Sequence, residues 1–366
     1  MPPIGPLANI RVLEIGGIGP VPFTGMVLAD MGADVLRIER AAGPPGAAAP
    51  REWDVTLRGR RAVALDLRQP EQREAVLACC ERADALIEGF RPGVMERLGL
   101  GPDEAMARNP RLVYGRMTGY GQHGPLSPVA GHDINYISIA GVLDSFRRRG
   151  ATPQFPLNLV GDYGGGGMLL ALGVVCGILE ARDSGRGQVV DAAMVDGAAL
   201  LSSLIHGLRA AGRWTDEPGT NLLDSGAHFY EVYETADGGY LAVGALEPQF
   251  YAELLRLLEI DPAEAPQWDR DRWPELKARF AEVFRQRTRD EWARRLEHAE
   301  ACVTPVLSLA EAPAHEHNRA RATFIERAGV VQPAPAPRFS RTPPEIREVE
   351  VDGAAGLEVL ESWARG

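Results

Sequence analysis

Three short segments of this sequence set an ionisable side chain where a helix is about to begin. In Gly131-His132-Asp133-Ile134-Asn135-Tyr136 a histidine follows a Pro/Gly-rich loop and opens an apolar helical stretch. The positive end of a helix favours the neutral imidazole, which suits the ring to accept a proton near neutral pH. A histidine in this place can also simply hydrogen-bond its loop, so alone it decides nothing. In Leu157-Asn158-Leu159-Val160-Gly161-Asp162-Tyr163-Gly164-Gly165-Gly166-Gly167 an apolar run ends in a carboxylate, and four glycines lead into a long apolar helix. Glycines let a ligand approach the backbone, and first-turn N–H groups from Asp162 to Gly165 would donate to a developing oxyanion. The plainer alternative makes Asp162 an N-cap and the glycines close packing. In Gly244-Ala245-Leu246-Glu247-Pro248-Gln249-Phe250, Pro248 suits a first helical turn, whereas Ser, Thr, Asp or Asn would cap better than Glu247, whose role stays open.

Other chemistries lack their residues. The turn Gly16-Gly17-Ile18-Gly19-Pro20-Val21-Pro22 invites a dinucleotide reading, but the third glycine of that fingerprint falls on Pro22. Glu39 stands where a ribose-binding acid would, yet Arg37 and Arg40 flank it, and a plain tight turn is the better reading. Lys277 is the only lysine, in the exposed-looking helix RWPELKARF, so neither a Schiff-base enzyme nor a P-loop is expected. Cys79, Cys80, Cys176 and Cys302 form no C-x-x-C pair and read as reduced thiols of a cytoplasmic protein. No nucleophile elbow, H-E-x-x-H pair or EF-hand loop occurs. With 39 basic and 50 acidic residues the formal net charge is −11, which disfavours nucleic acid as partner and leaves any anionic ligand to a local arginine cluster.

The elements that must hold these residues begin with strands alternating with helices. Asn9 to Ile15, Asp34 to Glu39, Ala62 to Leu67, Asp84 to Phe90 and Arg111 to Thr118 read as strands, with helices over Phe23 to Met31 and Glu71 to Arg82 between them. This pattern predicts a parallel sheet covered on both faces. Apolar helices follow over Ile134 to Phe146, Gly165 to Arg182 and Ala193 to Ala211, the last a connector. His228 to Glu234 and Tyr240 to Val243 form a hairpin signal ahead of three further helices. The expected architecture is α/β: a large domain over 1–212 with a Rossmann-like parallel sheet, a small α+β domain over 222–318, and a 319–366 segment returning to the large domain. The start, MPPIGPLANIRVLEIGG, lacks a basic stretch before an apolar run, and no segment reaches the ~18 apolar residues of a membrane span. Membrane insertion is not expected.

Seven segments together resemble one family: ADMGADVLRIER, LIEGFRPGVMERLGLGP, RMTGYGQHGP, AGHDINYIS, LNLVGDYGGGG, GQVVDAAMVDG and VGALEPQFY. The chain is similar through nearly its whole length to the class III CoA-transferase (CaiB/BaiF-type) superfamily, and within it to the α-methylacyl-CoA racemases. The resemblance implies that His132 and Asp162 are acid/base residues flanking the α-carbon of a 2-methylacyl-CoA thioester, with Glu247 partnering the histidine. It implies an interlocked homodimer and no cofactor, CoA being part of the substrate. The CoA portion would lie along Arg40, Leu65-Asp66-Leu67-Arg68, Gly89-Phe90-Arg91, Arg97 and the backbone of Gly131, His132, Asp133, Ile134, Asn135 and Tyr136. Arginine suits phosphate oxygens, and Phe90 can pack on adenine. The alternative within the superfamily is a CoA-transferase whose aspartate, here Asp162, attacks the thioester. Such transferases usually lack a histidine at this place.

Overall fold

The computed structural model describes residues 5–40, 53–347 and 356–365. Parts of the predicted 1–212 and 319–366 segments, namely 1–4, 41–52, 348–355 and 366, lie outside the described residues. The chain divides into two compact units, one made of Met1–Val142, Pro156–Ser202 and Phe324–Gly366, the other of Leu143–Phe155 and Ser203–Thr323.

Six parallel strands organise the first unit: β1 (Arg11–Ile15), β2 (Asp34–Arg40), β3 (Arg61–Leu65), β4 (Ala85–Glu88), β5 (Val113–Thr118) and β6 (Val189–Ala193). Their order is β3-β2-β1-β4-β5-β6, that of doubly wound α/β sheets. Alternation of side chains sends Val12, Val35, Ile87 and Val113 to one face, where Leu28, Leu170 and Val174 cover them. Leu13, Ile15, Leu36 and Leu86 go to the other, beneath Val76, Leu360 and Trp363. Such two-sided burial explains why the strands read as continuous β-branched and leucine runs.

Several sequence expectations change here, among them the helix expected over Ile134 to Phe146, which is two, Asp133–Ile139 and Val142–Ser145. β6 was not anticipated, because Val189-Val190 runs straight into the helix Met194–Leu201 and its edge position leaves alternate residues partly exposed. The helix expected over Ala193 to Ala211 is two, Met194–Leu201 and Ser203–Ala210. At the break, Ser202 Oγ donates back to the Ala199 carbonyl at 2.7 Å, a side-chain bond that competes with helix continuation. The helix expected from Gly165 starts at Leu159, with π-type turns over Leu159–Met168 ahead of α-helix Leu169–Ser184. The combined 26 residues carry a mean hydropathy of 1.7 over their most apolar stretch, so a segment long and apolar enough to span a bilayer does exist. Half of that stretch is buried within the protein, as befits a core helix.

In the second unit, antiparallel strands β7 (Tyr230–Glu234), β8 (Tyr240–Gly244) and β9 (Val303–Pro305) form one sheet. The helices Pro248–Leu258, Trp273–Phe284 and Arg289–Leu296 supply Leu254, Phe280, Phe284 and Trp292 to its core. Their apolar residues recur at three and four positions, as an amphipathic helix requires.

Candidate active site

The segments that the sequence marks for CoA in the first unit end or follow a strand or open a helix on the carboxyl side of the sheet, except Arg97, which closes the short helix Val94–Arg97. Arg40 ends β2 and stands in register with Leu65, the last residue of β3, which leads into Asp66, Leu67 and Arg68. Gly89, Phe90 and Arg91 follow β4, and the strand order reverses between β1 and β4, the place where such sheets bind ligands. Gly89 packs beside Val21 at that reversal. Two residues that the sequence did not single out fix this turn. Buried Glu88 accepts the Phe90 N–H at 2.7 Å, and Arg116 on β5 donates to Glu88 at 3.0 Å and to Glu96 at 2.7 Å. Their signal was a charged residue inside each of two otherwise apolar strands. Exposed Arg40, Arg91 and Arg97 have no carboxylate partner among the described residues, whereas Arg68 is held by Asp66 at 2.8 and 3.0 Å. That guanidinium lowers the Asp66 carboxyl to about 2.

His132 and Asp162 come together in the same unit. His132 takes the N-cap position of the Asp133–Ile139 helix in extended conformation. Its N–H donates to Asn135 Oδ1 at 3.0 Å, its carbonyl accepts from Asn135 at 2.8 Å, and the ring is exposed. Tyr136 donates its hydroxyl hydrogen to the Gly131 carbonyl, closing the turn from the other side. Asp162 is half-buried. Burial pushes its carboxyl above the ordinary range, the neighbouring Asp133 adds to this, and Asn158 and the His132 ring oppose it. Asn158 Nδ2 lies 3.3 Å from Asp162 Oδ2.

Two expectations fail at this point. The N-cap of the long helix is Asn158, so Asp162 is not a cap. Nor are the amides of this region free for an oxyanion: Gly161 and Asp162 donate to Asp133 Oδ2 at 2.6 and 2.8 Å, and Tyr163 donates to the Asn158 carbonyl at 3.3 Å. The helix begins earlier than its glycines suggest, which consumes those donors. The first-turn amides of Asp133 and Ile134, beside His132, remain as donors.

The glycine turn after β1 forms a wall of this site. Gly19 has φ 69° and ψ −117°, and a Cβ there would come within 3.2 Å of Asp162 Oδ2. Pro20 and Pro22 remove two N–H groups from the helix start, and a carboxylate faces it, so the turn is no cradle for a pyrophosphate. Arg37 donates to the Gly17 carbonyl at 3.2 Å, and both Arg37 and buried Arg60 pair with Glu14. Phe23 stacks on Tyr163 with centroids 4.3 Å apart.

Glu247 belongs to the second unit. It occupies the N-cap of Pro248–Leu258 with Pro248 in the first turn, yet its side chain makes no capping bond and is exposed. Capping therefore does not account for the carboxylate. Among the described residues no group of three or more His, Cys, Asp or Glu could hold a metal ion.

The chain as a whole is similar to known proteins. The model of CoA-transferase family III matches residues 7–350. The chain is 46% identical over 361 residues to the alpha-methylacyl-CoA racemase of Mus musculus, covering 98% of this chain and 93% of that one. It is 44% identical over 363 residues to the alpha-methylacyl-CoA racemase of Homo sapiens, with the same coverage. Among solved structures, a CAIB/BAIF family protein from Brucella suis superposes with a TM-score of 0.81 at 25% identity, over 98% of this chain and all of that one.

Proposed function

This chain belongs to CoA-transferase family III, and we propose that it is the racemase kind of member, interconverting the (2R) and (2S) forms of a 2-methylacyl-CoA thioester. The observation that carries the reading is the meeting of two different acid/base groups, His132 and Asp162, in a chain 44–46% identical to alpha-methylacyl-CoA racemases.

Racemisation needs one group to remove the α-proton and another to return a proton on the opposite face. An imidazole and a carboxylate can exchange those roles for the two enantiomers. The half-buried Asp162, raised by burial, holds a proton more readily than an exposed aspartate, which helps it to give one as well as take one. The enolate oxygen formed between the two steps would meet the first-turn amides of Asp133 and Ile134. The CoA phosphates would meet Arg40, Arg91 and Arg97 at the carboxyl edge of the sheet, and Glu247 would partner His132, as the resemblance implies. No added cofactor is needed for this chemistry.

A homodimer fits the surface of the first unit. Met168, Leu172 and Leu179 are 45%, 58% and 58% exposed along one helix, and Leu200 and Leu201 are 60% and 55% exposed on the next one shown. Large apolar side chains left exposed in this number are what an interface would cover. Four free cysteines accord with a reducing cytoplasm.

The test is to incubate the purified protein with one enantiomer of a 2-methylacyl-CoA in heavy water, without metal, flavin or nicotinamide. Deuterium should enter the α-position while optical activity is lost. Transfer of CoA to a free acid with no α-exchange would favour the family's other chemistry, in which Asp162 attacks the thioester.

A further inference from the structure

One carboxylate next to the two acid/base residues takes no part in the proton transfers. Asp133 is 5% exposed, and its Oδ2 accepts the Gly161 N–H at 2.6 Å and the Asp162 N–H at 2.8 Å. Its Oδ1 is buried and has no hydrogen-bond partner among the described residues. Burying a charge in this way is unfavourable unless the bonds it makes are strong. The side chain joins the reacting pair physically, since it follows His132 in the chain and grips the backbone of Asp162. Gly161 is shaped to this contact: a Cβ there would lie 2.7 Å from Asp133 Oδ2 and 3.2 Å from Asp133 Cα.

We propose that Asp133 is a positioning residue of the proton-transfer site, its carboxylate clamping the backbone of Asp162 to the turn that carries His132. The inference rests on the racemase reading and names a residue that sets the geometry of its two reacting groups. The clamp also has an electrostatic side. His132, Asp133 and Tyr136 reach Asp162 from the Asp133–Ile139 helix, Asn158 and Tyr163 belong to its own helix, and the Gly16–Gly19 turn brings no titratable group. Tyr136 is pushed up to about 12 by burial and the charge of Asp162, with Arg91 opposing, and so stays neutral. Asp133 is thus the group that adds like charge against the Asp162 anion.

Two variants separate clamp from charge. Asp133→Asn retains an oxygen that can accept both N–H bonds but drops the charge, whereas Asp133→Ala drops both. The carboxyl titration of Asp162 is read by carbon NMR on substrate-free protein labelled in its aspartates, with Asp162→Asn giving the assignment. In Asp133→Asn the Asp162 midpoint should move to lower pH, and the acid limb of kcat/KM for α-exchange should move with it. Asp133→Ala should lose roughly 10²-fold in kcat with KM little changed, the usual consequence of misplacing a reacting group by about 1 Å. Asp133→Asn should recover most of that loss. A folded Asp133→Ala with unaltered kcat, or an Asp133→Asn that itself loses roughly 10²-fold in kcat, overturns the clamp, and an unmoved Asp162 midpoint in Asp133→Asn overturns its electrostatic side. Absence of α-exchange in the unaltered protein would instead overturn the racemase reading, and the titration, which needs no turnover, would still decide the electrostatic effect of Asp133 on Asp162.

Discussion

Gly19 and Asp162 face each other so closely that a Cβ on residue 19 would stand 3.2 Å from Asp162 Oδ2. At φ 69° and ψ −117° the position also lies outside the backbone range open to other residues. Gly19→Ala should therefore strain the turn by on the order of 1–3 kcal/mol and displace the carboxylate. The expected result is a lower Tm together with a loss of α-exchange of roughly 10²-fold. Full activity in a protein of lowered Tm would show that the turn does not bound the reaction site.

Asp162→Asn keeps the shape of the side chain and removes its ability to carry the proton. Turnover should fall by roughly 10²–10⁴ with little change in Tm, the usual worth of a positioned proton-transfer group. Hydroxylamine added to the unaltered enzyme during turnover should trap no acyl group on Asp162. A hydroxamate at that residue, found by peptide mass spectrometry, would identify it as a nucleophile.

The exposed apolar side of the Leu169–Ser184 helix is expected to be covered by a second copy. Leu172→Glu should weaken self-association by roughly 10²- to 10⁴-fold, since each of the two leucines buried in a symmetric dimer contributes about 1.5–3 kcal/mol. Sedimentation velocity over a range of concentrations reads this directly. A monomer in the unaltered protein at all concentrations would remove the homodimer from the account.

His228 governs a pH dependence of stability in the second unit. It is fully buried, Nε2 lies 2.6 Å from the Tyr251 hydroxyl, and Nδ1 has no partner among the described residues. Burial, with Lys277 adding, lowers its pKa from 6.5 to about 4. The unfolded chain takes up this proton as pH falls below 6.5, and the folded protein does so only near 4. Stability should then drop by about 3 kcal/mol between those values, at about 1.4 kcal/mol per pH unit, and the loss should cease below the folded pKa. Urea titrations from pH 7 to 4 should show this slope, and His228→Gln should flatten it. Equal slopes in both proteins would assign the acid sensitivity elsewhere.

The parallel sheet was readable because two-sided burial writes β-branched and leucine runs such as Val12-Leu13 and Val35-Leu36 into the chain. His132 and Asp162 were readable as ionisable residues set in glycine and apolar surroundings. Asp133 was not, because its bonds go to amides 28 and 29 residues away and no local pattern encodes them. The early start of the long helix was hidden for a similar reason: Leu159–Met168 packs closely on Met194–Leu201, and that packing overrides what its glycines suggest. Lys277 looked solvated from its helix, but the inward face of β7 carries Glu231, which is buried and pairs with Lys277 at 3.1 Å and with Arg148 at 2.6 Å.

The helix Gly356–Arg365 packs on the opening strands, and this gives the fold a timetable. Trp363 Nε1 donates to Asp34 Oδ2 at 2.9 Å across 329 residues, Arg11 lies 3.9 Å over the Trp363 ring, and Cys79 donates to the Leu360 carbonyl at 3.4 Å. During synthesis at roughly 5–20 residues per second, the strand bearing Asp34 waits about 16–66 s for the tryptophan that covers it. Until then one face of the sheet lacks its final layer, and a ribosome-bound chain exposes leucines that the finished protein hides.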